Sequence, residues 1–339
     1  MKQELKNLGK VCLFFTILFI LSELLGYLLS PKDNIKMFGF FKSNEYDILS
    51  EKPNTIDTLF VGDSLAYSSI IPMELWEDFG YTSYVCARSA QTIKHSYDYI
   101  EIAIKSQQPK IIFFEVNGFF RDAKKQKKET MIRDTAKTLV PITKNHANWK
   151  KEVLLFLNDD PINYNWSSPL KGYRYNLKKE KDTTQKKDIY MKYTDKEEKI
   201  LDVNKEYFDK IYKLCQKNNI NLILIATPYE KRWNYKKHNS VSKIAENYNL
   251  SFLDLNIDNP TNIDWNQDSK DGGEHLNYYG ALKVTKYYGT YLKENHYLQS
   301  HKDEDKYKNW DEEYNVYKKT MKINNVDNDR VEEIKKIKY

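Results

Sequence analysis

Residues 56–64 read Ile56-Asp57-Thr58-Leu59-Phe60-Val61-Gly62-Asp63-Ser64. A short apolar run closed by glycine is the pattern of a buried strand ending in a tight turn. The unit recurs along the chain. Tyr81–Ala87 and Lys110–Val116 are further runs of this kind, and the second is apolar at nearly every position, as suits a parallel strand covered on both faces. Asn221–Ala226 and Ser251–Leu255 complete the set. Between them lie segments of helical character: one opening at Pro72, where proline is tolerated, then Thr92–Ser106, Leu201–Lys217, Val241–Tyr248 and Tyr279–Glu294. Strand–helix alternation predicts an α/β domain of three layers, a central parallel sheet between helices.

The alternation occupies residues 56–298 but lapses over about 119–195. That stretch carries Lys124-Lys-Gln-Lys-Lys128 and an aromatic cluster of Tyr164, Trp166, Tyr173 and Tyr175. It is too long for an ordinary loop and reads as a partly helical insertion, either overhanging the site or forming a solvated elaboration with no ligand. Residues 299–339 are rich in Lys, Asp, Glu, Asn and Tyr, and are expected to form a helical or partly disordered charged tail with no catalytic part.

Val11–Leu29 reads VCLFFTILFILSELLGYLL, with Glu23 its one charge and Lys2, Lys6 and Lys10 before it. The run has almost no polar face and is close to the length that crosses a bilayer. No A-x-A-like cleavage site follows, so residues 1–30 are read as an uncleaved signal anchor and 31–55 as a polar connector. The expected placement is a single-pass membrane protein with its domain outside the cytoplasm.

Of the 339 residues, 40% are hydrophobic and 30% charged, which suits a globular body and argues against a disordered chain. The net charge of +6 comes from 54 basic and 48 acidic residues, so the long-range field is mild. No basic helix, zinc spacing or base-stacking motif points to nucleic acid. Cys12, Cys86 and Cys215 show no metal or disulfide spacing. Neither a metal nor another cofactor is expected.

Ser64 follows a strand directly, at the sheet edge where α/β proteins gather reactive groups. A serine hydroxyl needs a base to act as nucleophile. Among six histidines the strongest candidate is His275, within Asp271-Gly-Gly-Glu-His275-Leu-Asn-Tyr-Tyr-Gly280 just before a helix. Asp271 stands four residues upstream, placed to orient the imidazole, with Asp268 as the fallback. Asn117 ends the third strand at the same sheet edge as Ser64, where its amide can stabilise an oxyanion.

Gly-Asp-Ser after the first strand, Asn after the third, and Asp-x(3)-His-Leu-Asn-x-x-Gly-Ala before the last helix together resemble the SGNH/GDSL hydrolase superfamily. The similarity spans about residues 56–297 without the insertion. It is nearest to the membrane-anchored cell-envelope branch, with its DltD-like and alginate-acetylation-protein-like members. The resemblance implies a flavodoxin-like sheet, a Ser64–His275–Asp271 triad, and an oxyanion hole of the Ser64 backbone N–H, the Asn117 side chain and a second-block N–H. Two departures stand out. Family members usually space Asp and His by three, and their second block usually offers a glycine, where this chain has Ala87-Arg-Ser-Ala90. Ser89 is the expected donor there. The implied function is that of an extracytoplasmic serine esterase or O-acyltransferase on a cell-envelope polysaccharide or teichoic-acid-like polymer. The alternative is a non-catalytic accessory or binding protein of the same fold, partnering an integral-membrane acyltransferase.

Overall fold

The structure, a computed structural model, describes residues 2–28, 48–121, 169–181, 190–295, 297–323 and 326–339. Most of the connector and most of the insertion lie outside these residues, including the expectation that the insertion is partly helical. The chain divides into two compact units, Met1–Ser50 with Asp122–Trp166, and Glu51–Arg121 with Ser167–Tyr339.

In the first unit, α1 (Lys2–Leu28) is a continuous helix. Its stretch Lys6–Leu25 has a mean hydropathy of 2.1. Twenty residues span about 30 Å, enough to cross a membrane. A signal sequence at this position would share that length and composition.

The second unit is built on five parallel strands: β1 (Thr58–Gly62), β2 (Ser83–Ala87), β3 (Ile111–Glu115), β4 (Asn221–Ala226) and β5 (Phe252–Asp254). Their order is β2-β1-β3-β4-β5, so the direction of winding reverses between β1 and β3. A crevice opens at such a switch point, outside the carboxyl ends of the strands.

Helices cover both faces. They are α2 (Ser64–Ser69), α3 (Pro72–Phe79), α4 (Ile93–Ala103), α5 (Asp202–Lys217), α6 (Tyr235–Tyr248) and α7 (Tyr278–Glu294). The period-two alternation of β1 and β3 sorts the core. Phe60 and Phe113 pair in register and stack at 4.9 Å, with Tyr288 of α7 against both. On the opposite face Phe114 meets Phe119 and Phe208 of α5. Each such buried ring contributes about 1.5–3 kcal/mol. Helix α6 begins six residues before the sequence reading placed it. Asn234 caps it by accepting from the Lys237 N–H, and its first turn carries too little apolar surface to reveal itself.

The described end of the insertion begins in a turn at residues 169–172 and lies against the domain. The Val85 N–H of edge strand β2 donates to the Lys171 carbonyl, so residues 171–173 cover an edge that would otherwise stay open. The charged C-terminal segment is helical over α8 (Lys308–Ile323) and α9 (Asn328–Lys335). It packs on the domain: Trp310 of α8 is fully buried beside Trp76 of α3, and the Trp76 indole donates to Asp311. Cys86 and Cys215 are buried with free thiols, which burial pushes up, Cys215 to about 12.

Candidate active site

Four loops meet at the carboxyl end of the sheet: those that follow β1, β3 and β4, and the one that runs from β5 to α7. Ser64 is the first residue of α2, directly after β1. The turn demands Gly62, because a Cβ there would stand 2.5 Å from the Glu115 Cβ on the neighbouring strand. Asp63 caps α2, accepting from the Leu65 N–H at 2.9 Å. Being in the first turn, the Ser64 N–H has no intrahelical acceptor.

His275 lies on the loop that enters α7. The Ser64 hydroxyl is 2.8 Å from His275 Nε2, and Asp271 Oδ2 is 2.6 Å from His275 Nδ1. The other Asp271 oxygen accepts the His275 backbone N–H at 2.6 Å. Burial pulls the Asp271 carboxyl up, but hydrogen bonds from His275 and the charges of His275 and Lys270 outweigh it. The net effect holds Asp271 below the usual carboxylate value. An ionised carboxylate only accepts, so Nδ1 carries the proton and Nε2 presents its lone pair to the serine hydroxyl. The line can therefore take a proton from Ser64 while Asp271 fixes the ring.

The four-residue spacing from Asp271 to His275 is absorbed locally. Gly272 and Gly273 both stand at positive φ, +67° and +87°, and let the chain double back. Ser269 closes the loop: its hydroxyl donates to the His275 carbonyl at 3.1 Å and accepts the Gly273 N–H at 2.7 Å. Lys231, after β4, ties the same loop through its N–H to the Gly273 carbonyl and its ammonium to the Asp271 carbonyl. Asn277 caps α7 and also donates to the Gln267 and Lys178 carbonyls, fastening the loop on both sides. Asp268 takes no part in orienting the histidine. It is fully buried between Lys283 at 2.7 Å and Arg330 at 2.6 Å.

Asn117 follows β3 in a short 3-10 turn, Val116–Phe120, and lines the same cleft as Ser64 and His275. Its amide gives one N–H to Asp63 at 2.8 Å, and its backbone N–H donates to the Glu115 carboxylate. Burial, reinforced by the Asp63 charge, pushes Glu115 well above the ordinary carboxylate value. Asp63 also receives the Arg121 guanidinium through Nε, at 3.0 Å, and Nη2. Sequence reading passed over this hub, since Asp63 read as part of a motif and Arg121 fell inside the supposed insertion. Ser89 sits elsewhere: it does not line the cleft, and its hydroxyl pairs with the Tyr67 phenol at 2.9 Å in the turn after β2. That turn puts Ala90 at φ +54°, the left-handed conformation a glycine would otherwise supply.

The cleft is open, about 170 Å³, and is completed by Leu65, Phe120, Arg121, Tyr229, Arg232, Lys237 and Glu274. A second Ser–His–Asp grouping joins α6 to the end of β5. His238 bonds Asp254 at 2.8 Å, and Ser242 lies 3.4 Å from the other ring nitrogen. Ser242 is inside a helix, one turn from its histidine, where backbone N–H groups are occupied and none can serve an oxyanion. Among the described residues no group of three or more His, Cys, Asp or Glu side chains could hold a metal ion.

No protein-family model and no curated protein matches the chain. Among solved structures, one match is described as a "putative acylhydrolase" from Bacteroides fragilis. It is 12% identical, covers 78% of this chain and 98% of its own, and has a TM-score of 0.39. A likeness that distant carries no weight as to chemistry.

Proposed function

We propose that the protein is a membrane-tethered serine esterase or O-acyltransferase of the SGNH/GDSL type, facing the cell envelope. The observation that carries this reading is the unbroken hydrogen-bonded line Ser64–His275–Asp271, opening on a cleft at the switch point of a parallel sheet. Ser64 Oγ attacks an ester carbonyl carbon while His275 Nε2 takes the hydroxyl proton. Negative charge then develops on the former carbonyl oxygen, and the Ser64 N–H with the second N–H of the Asn117 amide receives it. Collapse expels the alcohol, which recovers the proton from His275. Water or an acceptor hydroxyl repeats the steps in reverse to release the acyl group.

The apolar helix α1 supports tethering, and a tethered domain works beside envelope polysaccharides or teichoic-acid-like polymers.

Labelling of the full-length protein with a fluorophosphonate tests the reading. The expected result is an adduct on the parent that is abolished in Ser64→Ala and strongly slowed in His275→Ala, with acetyl-ester hydrolysis following the same order. Folded protein that gives no Ser64-dependent adduct would instead favour the accessory-protein reading.

A further inference from the structure

The charged wall of the cleft points to the kind of ester it takes. Arg121, Arg232 and Lys237 line it beside Ser64 and His275, against one lining carboxylate among the described residues, Glu274. Each cation is held with donors to spare. Asp63 occupies Nε and Nη2 of Arg121 from behind, and Nη1 has no bond among the described residues. Arg232 reaches Glu274 at 3.3 Å, but its side chain is 67% exposed, so that pair is weak and readily exchanged for another anion.

Lys237 is the most informative of the three. Its ammonium donates to the Arg232 carbonyl at 2.9 Å and lies over the Phe120 ring at 5.2 Å. Among the described residues no carboxylate pairs with it. Burial pulls its pKa down from the ordinary lysine value, against the raising effect of Glu198 and Glu115. A partly desolvated cation with no directly paired carboxylate among the described residues is costly to keep beside two arginines, and an arriving anion relieves that cost.

Building on the esterase reading above, we propose that the substrate carries an anionic group, a phosphate or a carboxylate, close to the scissile ester, bound by Arg121, Arg232 and Lys237. Guanidinium groups suit such oxyanions through paired N–H donors, and the lysine adds a point charge. Charge at the mouth of a cleft also speeds capture, an effect that added salt suppresses.

The experiment uses the full-length protein in detergent and two pairs of esters. One pair is the 4-nitrophenyl monoester of glutaric acid and its uncharged methyl ester, which tests a carboxylate on the acyl side. The other is 1-acetylglycerol 3-phosphate and monoacetylglycerol, which tests a phosphate on the alcohol side. In at least one pair kcat/KM is expected to favour the charged member by roughly tenfold or more at low salt. That ratio is expected to fall about fivefold or more in the Arg232→Gln/Lys237→Gln double variant and at high salt. Inorganic phosphate is expected to raise KM for the uncharged ester while kcat stays the same. Ser64-dependent turnover with no preference in either pair, or a preference that survives in the double variant, overturns this inference and leaves the esterase reading standing. No Ser64-dependent turnover of any of the four esters sinks both.

Discussion

Arg330, on the last helix of the chain, places its guanidinium 2.6 Å from the buried carboxylate of Asp268, seven residues before His275. Asp268 is where the His275 loop is rooted. Its backbone carbonyl accepts the Asn277 N–H, and its other carboxylate oxygen holds Lys283 of α7. The Arg330 guanidinium also stacks 4.2 Å over the Tyr279 ring, so α9 grips both the loop and the start of the helix that follows it.

Arg330→Ala is therefore expected to destabilise the protein by about 3 kcal/mol, at the low end for breaking a buried pair because Lys283 remains on Asp268. Denaturant unfolding of the variant checks this. Arg330→Lys should recover only part of the loss, since lysine supplies one charge and no planar stack. A change under about 0.5 kcal/mol in Arg330→Ala would mean that the contact holds nothing in place.

Asp271 has a carboxyl held below its ordinary value of 3.8 in the folded protein. A depressed acid stabilises the fold fully above its unfolded value, and that contribution is lost as pH falls through the folded value. Asp271→Asn should thus show a shallower loss of stability than the parent below about pH 4. At neutral pH the same variant should lose roughly 10³–10⁴ in kcat, because an amide no longer enforces the tautomer that leaves Nε2 free. Acid unfolding curves and steady-state kinetics on one preparation separate the two effects.

Glu74 behaves in the opposite sense. It is buried on α3 and accepts from the Tyr317 hydroxyl at 2.9 Å and from Tyr278 at 3.3 Å. Burial raises its pKa from 4.5 against the pull of Lys335. A raised acid favours its protonated form in the fold, so stability is highest below the unfolded value and declines as pH climbs through the shifted one. Glu74→Gln should remove that decline, gaining on the parent at pH 8 but not at pH 4 in unfolding measurements.

The strands and the rim of the cleft were legible because their signals are local. Apolar runs closed by Gly62 or followed by Asn117 mark strand ends, and a doubly wound sheet brings those ends together whatever lies between. The line through Asp271 and His275 was legible for the same reason, since four residues and two glycines contain it. What escaped the reading depends on distance. Asp63 meets Arg121 and Asp268 meets Arg330 across 58 and 62 residues, and a lone arginine in a charged segment has no periodicity to announce its partner. The C-terminal helices hid in the same way: a composition dominated by Lys, Asp and Glu masks the few positions, Trp310 and Tyr317 among them, that are buried. The turn after β2 has a left-handed residue at Ala90, and there the Ser89 hydroxyl meets the Tyr67 phenol across 22 residues, another contact with no local signal.

The Asp63–Asn117 contact gives the last prediction. Asn117 is aimed by Asp63, which holds one amide N–H and leaves the other for the cleft. If that second N–H meets the oxyanion, Asn117→Ala should lower kcat by about 10²–10³ with little change in KM, the pattern of a contact made only in the transition state. Asp63→Asn should also lower kcat, because it weakens the anchor and leaves the Arg121 charge without its buried partner. Since Asp63 acts here through Asn117, the two losses should not add: the double variant should be little slower than Asn117→Ala alone. Fully multiplicative losses would show that Asp63 reaches the reaction by another route, with Arg121 the next residue to vary.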